Sequence, residues 1–229
     1  MHELAALDAT RPLEEYLPNC DTLTRDILHR GRSVLKGTWK KFPRRVQETL
    51  DELVSGESSF ATMIETSRKY SQLWEQAQLE MTAVQFCRLL RNMSYAKQRV
   101  DSHYKPLFRI FKMFPVAVRT LVLLMESGDD KDKAWAVKLL QRWSGPDAFK
   151  RLLCTAVAAD IMMLCRPFLR LHDSATDDAS VTASACAELL HDAKILLFDG
   201  AIFLPEASNS LLVHCFLETS KSFSMFRKE

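Results

Sequence analysis

Paired carboxylates are the residues here best suited to chemistry: Glu14-Glu15, Asp51-Glu52, Asp129-Asp130 and Asp177-Asp178. Two acids a few residues apart on one helix, each with another acid nearby, could hold Mg²⁺ for diphosphate chemistry. Asp173, Asp177 and Asp178 come nearest to that pattern, but they fall in the polar run His172 to Asp178, which reads as a surface loop. The four pairs stand at turns or helix starts, where a carboxylate caps backbone N–H groups. No H-E-x-x-H, G-x-S-x-G, kinase set, phosphate loop or dinucleotide glycine motif occurs. His103, His172, His191 and His214 stand far apart with no partner motif. Cys20, Cys87, Cys154, Cys165, Cys186 and Cys215 are scattered without a C-x-x-C pair, a pattern of buried free thiols in a reducing compartment and not of a zinc site. The expectation is no catalytic residue, no cofactor, no metal and no enzyme activity.

Cations are the second candidate. Net charge is only +2, yet Arg25 to Arg45 holds eight Lys or Arg against one acid, and Arg88 to Arg119 again eight against one. From Thr120 onward twelve bases face fifteen acids. Such asymmetry fits a face that meets a polyanion, DNA or RNA, through segments 25–45 and 88–119. The residues that would make the contact are Arg30, Arg32, Lys36, Lys40, Lys41, Arg44, Arg45, Arg99, Lys105 and Arg109. A solvated helix face, with neighbours supplying counter-charge, explains the same pattern. Aromatic residues interleave with these cations, as backbone-binding and stacking surfaces require. Phe108, Phe111 and Phe114, however, recur at every third residue, which is the spacing of a core stripe.

The elements that would carry these residues read as helices. Thr22 can cap a first helix through Leu35, and Phe42-Pro43 starts a second that Gly56 ends. From Ser58 or Ser59 a long apolar stripe runs through Phe60, Met63, Ile64, Tyr70, Leu73, Trp74, Ala77, Met81, Val84, Leu89 and Leu90. It predicts a helix of about thirty residues, kinked or straight, as the spine of a bundle. Pro106 and Pro115 begin helices near 102–113 and 115–127. Further helices follow Gly128-Asp-Asp, span Asp147 to Leu171 with Pro167 kinking or ending it, span Ser180 to Leu197, and close from Asn209 to about Phe223. Asp160 is the one charge between Leu152 and Cys165; it either emerges at the edge of the stripe or meets a cation such as Arg109 or Arg151. Ile195-Leu-Leu-Phe198 and Ala201-Ile-Phe-Leu204 are the only weak strand candidates. The fold class is therefore all-α, a bundle of about eight to nine helices, with a basic N-terminal segment 1–57 and a main bundle 58–229 that can also form one continuous domain.

Composition agrees with a globular protein: 47% hydrophobic and 26% charged residues suffice for an ordinary core. The longest uncharged apolar stretch, Leu152 to Ala159, stops at Asp160, well short of the ~20 residues that cross a bilayer. Met1 to Arg11 has no basic region followed by an apolar run. The expectation is a soluble intracellular protein, nuclear or cytoplasmic, without a membrane.

Four segments resemble parts of hAT-family transposases. Met1-His-Glu-Leu-Ala-Ala-Leu-Asp-Ala9 is similar to the family's H-x-L-x-L-A-x-x-D-A stretch, in compressed form. Arg99-Val-Asp-Ser-His-Tyr-Lys-Pro-Leu with Phe114-Pro-Val-Ala-Val resembles the T-R-W-x-S block and its F/Y-P-A-L-V continuation. Lys133 to Leu140 resembles the K-A-x-x-L-L segment, and Phe149 to Leu169 the F-x-x-L-x-x-x-x-D-I-L helix. The resemblance covers most of the chain and implies the helical insertion of the catalytic domain. The family's tryptophan would fall on Val100, and its catalytic acids lie on strands outside this region, so none carries over. What it implies is a non-catalytic, transposase-derived helical domain that contacts nucleic acid or protein. The alternative is a helical scaffold or adaptor unrelated to transposons that binds a partner helix, with homo-oligomers among the possible partners.

Overall fold

Nine α-helices and no strand form among the described residues of the computed structural model, which are 36–37, 40–81, 89–90, 92–95, 100–171, 179–204 and 212–222. They are α1 (Arg44–Leu50), α2 (Phe60–Thr66), α3 (Arg68–Met81), α4 (Tyr104–Lys112), α5 (Phe114–Ser127), α6 (Asp130–Ser144), α7 (Ala148–Leu171), α8 (Ala179–Ala193) and α9 (Leu212–Ser222). A π turn, Asp51–Ser55, extends α1, and another, Lys194–Phe198, extends α8; short 3₁₀ turns span Val100–His103 and Ala201–Phe203. The all-α expectation holds. The helix expected from Thr22 to Leu35 lies outside the described residues. Both weak strand candidates are helical turns.

Local chemistry sets the boundaries. Ser59 caps α2: its Oγ accepts from Thr62 N at 3.2 Å and donates to the Val54 carbonyl at 2.6 Å. Asp129 caps α6 by accepting from Asp132 N at 3.0 Å, and Asp130 and Asp132 set negative charge at the positive end of the helix dipole. Between α5 and α6 only glycine fits at 128, because an added Cβ would overlap the Leu124 carbonyl and sit 2.8 Å from the Asp132 Cβ. Pro115 falls in the first turn of α5, where its missing N–H leaves no bond unmade. Pro167 lies inside α7, which continues past it to Leu171.

The spine is not where the long stripe placed it. Residues 60–81 form two helices, parted at Ser67, whose φ of −113° and ψ of 121° are extended. The stripe itself contains the reason. Phe60 and Ile64 are four residues apart, but the next buried residue, Tyr70, comes six later, so a continuous helix would turn it about 120° away from Ile64 and about 80° from Phe60. Breaking at Ser67 lets both halves face inward. The longest helix is α7, with 24 residues, and α1, α4, α6, α8 and α9 all pack on it. By length and composition Ala148–Arg170 is apolar enough to cross a membrane, with a mean hydropathy of 1.7 in its most apolar window, of which 44% is buried. Asp160 ends the uncharged stretch Leu152 to Ala159 but not the apolar character of the longer run.

An aromatic chain joins the layers. Phe60 meets Trp74 edge-on at 5.8 Å and Trp143 at 5.5 Å; Trp143 meets Phe114 at 5.5 Å. Phe216 on α9 then collects Phe114, Phe111 and Phe149 at 5.8, 5.8 and 5.6 Å. Each such contact adds about 1 kcal/mol to the burial itself. Phe111 and Phe114 are thus core, as their spacing suggested, while Phe108 is half-buried beneath the Lys112 ammonium, 5.2 Å from its ring centre. Val46, Leu50, Leu53 and Val54 enter the same core, so α1 and its π turn are continuous with the bundle.

Candidate functional site

The basic residues divide into three groups. Arg30, Arg32 and Arg99 lie outside the described residues. Lys36, Lys40 and Lys41 are exposed just before α1, and Lys105 is exposed on α4. The arginines are largely engaged. Arg44 Nε donates to Glu48 at 2.9 Å, and Arg45 donates to Asp147 at 3.2 Å, tying α1 to the start of α7. Arg109 is half-buried, and one of its guanidinium nitrogens has no partner among the described residues. Burial pulls its pKa down against the opposing pull of Glu65. Farther along, Arg119 pairs with Glu80 at 2.7 Å, and Lys69 and Tyr70 both donate to Asp132. Here neighbours do supply counter-charge.

Asp160 is neither at an edge nor beside a cation. It is fully buried on α7 and accepts from Leu212 N at 2.8 Å and Val213 N at 3.0 Å. It thereby caps α9 from 52 residues away in sequence. Both oxygens are satisfied by N–H groups that a helix leaves unpaired at its start, which explains why a carboxylate can sit in the core. Burial nevertheless outweighs these bonds and pushes its pKa up to about 6. Nearby, the Tyr104 hydroxyl donates to Met163 Sδ at 2.9 Å, and burial, then the Asp160 charge, push that phenol up to about 12. The Arg166 guanidinium stands 5.9 Å from the Tyr104 ring centre. This cluster joins three helices and is a structural lock.

A groove of about 280 Å³ opens between the α1 extension and α6, lined by Glu48, Asp51, Glu52, Trp135, Lys138 and Arg142 among others. Its charges answer one another. Arg142 donates to Glu52, and Arg142 and Arg151 oppose the burial that raises the Glu52 carboxyl. The Trp135 indole N–H donates to the Ser58 carbonyl at 3.0 Å. No histidine or cysteine lines it, and no group of three His, Cys, Asp or Glu that could hold a metal ion occurs among the described residues. Cys154 is exposed, which corrects the expectation of buried thiols; Cys165 and Cys215 are partly buried, and burial pushes both thiols up.

The least satisfied surface is apolar. On α8, Leu190 is 71% exposed; on the turns after it Phe198 is 86%, Phe203 56% and Leu204 50% exposed, with Val181 and Ile195 also open. Leu196, Leu197 and Ile202, their immediate neighbours, pack inward. Gly200, at φ 75°, makes the reversal that brings the Ala201–Phe203 turn against the π turn. These residues were not foreseen as a site. The signal was present: two four-residue apolar runs flank Asp199-Gly200 without alternation, so one layer of core could not take all of them. Set against known proteins, the chain matches no family model, no curated protein and no solved structure.

Proposed function

We propose that this chain is a non-catalytic helical interaction module that offers the apolar face from Leu190 to Leu204 to an amphipathic helix of a protein partner. The observation that carries this reading is Phe198, a large apolar side chain left 86% in water while its neighbours Leu196 and Leu197 are drawn inward. Single exposed apolar residues are ordinary, but several on adjoining turns mark a contact surface. Grooves of this kind read a helix through anchors at i, i+3, i+4 and i+7. Ion pairs such as Arg45–Asp147, Arg119–Glu80 and Arg142–Glu52 engage several of the ionisable groups, which supports the non-catalytic part. The test is fluorescence anisotropy with a labelled 18-residue amphipathic helix carrying Leu and Phe anchors. Saturable binding that Phe198→Asp abolishes supports the reading; no saturable binding up to about 100 µM removes it.

A second reading, nucleic-acid contact by a domain of hAT-transposase descent, is favoured by Lys36, Lys40 and Lys41, exposed together ahead of α1. Of the segments similar to that family, Met1 to Ala9 lies outside the described residues; those at 114–118, 133–140 and 149–169 are helical, which fits this reading. Three phosphate contacts predict an affinity that falls with salt at a log–log slope near −3. A filter-binding titration of duplex DNA and of RNA measures that slope. Lys36→Glu, Lys40→Glu and Lys41→Glu together should abolish it, and a binding curve indifferent to them removes this reading.

A further inference from the structure

We infer that the occupant of the apolar face is a second copy of this chain, docked about a two-fold axis with α8 and its π turn against their counterparts. This rests on the reading of that face as a docking surface and specifies the partner. Three features of the face point to a copy of itself.

The first is area. Leu190, Ile195, Phe198, Phe203 and Leu204 together leave on the order of 500 Å² of apolar surface in water, taking 150–250 Å² for a large side chain. A two-fold contact uses that patch twice, so about 1,000 Å² is covered, and the polar margin brings the total near the lower bound of roughly 1,200 Å² for a specific interface. A small or flat ligand would leave most of it wet.

The second is charge. The margin carries Glu188, Asp192 and Asp199 beside His191 and Lys194, all exposed. Lys194 reaches Asp199 at only 3.7 Å. Both signs are present within a few turns, so a reversed copy can set acid against base along the rim. With three acids against Lys194 the margin is net negative, so a nucleic acid would meet more repulsion than attraction.

The third is shape. Residues 179–198 form one helical rod whose last five residues are a π turn. A π turn rotates each residue by less than an α-helix does, which brings Leu190 and Phe198, eight residues apart, toward one side of the rod. Ala183, Ser184 and Ala187 are exposed on the same rod and are small enough to let a second backbone approach. No residue described on α8 is buried within its own chain. A helix whose close packing among the described residues is against α7 and its own π turn, and which leaves Val181 and Leu190 outward, can complete its burial against another of the same kind.

Sedimentation equilibrium of the full chain from about 1 to 200 µM tests this. The expected result is a monomer–dimer equilibrium, weakened at least tenfold by Phe198→Asp and by Leu190→Asp, and kept by Phe198→Leu. Circular dichroism must show unchanged helicity for each. A monomer throughout, a dimer indifferent to both aspartates, or assembly that grows beyond two copies overturns the proposal. So does a monomer that co-sediments with phosphatidylcholine vesicles through Phe198, which assigns the face to lipid. If the protein is monomeric yet binds the amphipathic probe helix, only the partner is wrong; if it does neither, the docking surface itself is lost.

Discussion

The two apolar regions of this molecule have similar residues and opposite surroundings. Around α2, α3, α5 and α6, Phe60, Trp74, Phe114 and Trp143 are fully buried and touch ring to ring. Around α8 and its following turns, Leu190, Phe198 and Phe203 stand in water. Hydrophobicity alone does not separate them. What separates them, among the described residues, is how many elements pack closely: α3, α4, α6 and α9 against α5, but α7 and its own continuation against α8. A side chain is drawn inward only where other elements are present to close over it, so apolar surface left open at the margin of a bundle is free to serve association.

The largest test of that contrast is a matched pair of truncations. Phe114→Ala should cost about 4 kcal/mol, because it empties a space shared by Trp143 and Phe216 that the surrounding helices cannot fully close. Phe198→Ala should change stability by less than about 0.5 kcal/mol, having no cavity to leave. Urea denaturation of both, at protein concentrations low enough that self-association does not contribute, reads the difference. Equal costs would mean that Phe198 is covered within one chain, and the contrast would disappear.

Much of this was legible beforehand, and the exceptions have specific causes. Pro106 and Pro115 marked α4 and α5 to within two residues, because a residue without an N–H is cheapest where a helix begins. Gly56 and Gly128 marked their turns for steric reasons that act locally. The break at Ser67 escaped notice because no breaker residue stands there; only the six-residue step from Ile64 to Tyr70 betrays it. Asp160 was recognisable as a carboxylate in an apolar helix, but its partners are backbone N–H groups, which no residue type announces. The exposed face was hidden for a similar reason: apolar runs report a wish for burial and not whether a neighbour exists to grant it. Of the ten cations singled out, the engagement of Arg45 by Asp147 spans 102 residues and could not be read from spacing.

A second test acts on the one charge inside the packed region. Asp160→Ala removes both caps of α9 and leaves two buried N–H groups without acceptors, for a loss of about 3 kcal/mol. The pH dependence is sharper. The folded pKa of about 6 lies above the ordinary 3.8, so the folded state holds the proton more tightly. The stability this group contributes is fully present below about pH 4 and is lost as pH rises through 6. Relative to Asp160→Asn, which does not titrate, the wild type should gain about 1 kcal/mol between pH 7 and pH 5. A difference that stays flat across that interval would show that the two cap bonds balance the cost of burial.

The smallest expected effect belongs to the surface, where charge already has its partner. Arg45 and Asp147 form an exposed pair between α1 and the start of α7. Such pairs contribute about 0.5 kcal/mol or less, since water screens them and two long side chains lose freedom to make them. Arg45→Ala should therefore shift the urea midpoint barely, and 0.5 M NaCl should erase the shift, the screening length then being about 4 Å. The same variant separates the two kinds of cation on this protein. Lys36, Lys40 and Lys41 would carry any polyanion contact, so Arg45→Ala should leave polyanion affinity within a factor of two. A tenfold fall would mean that phosphate takes Arg45 away from Asp147, and that the basic segment, not the apolar face, is the surface this bundle was shaped to present.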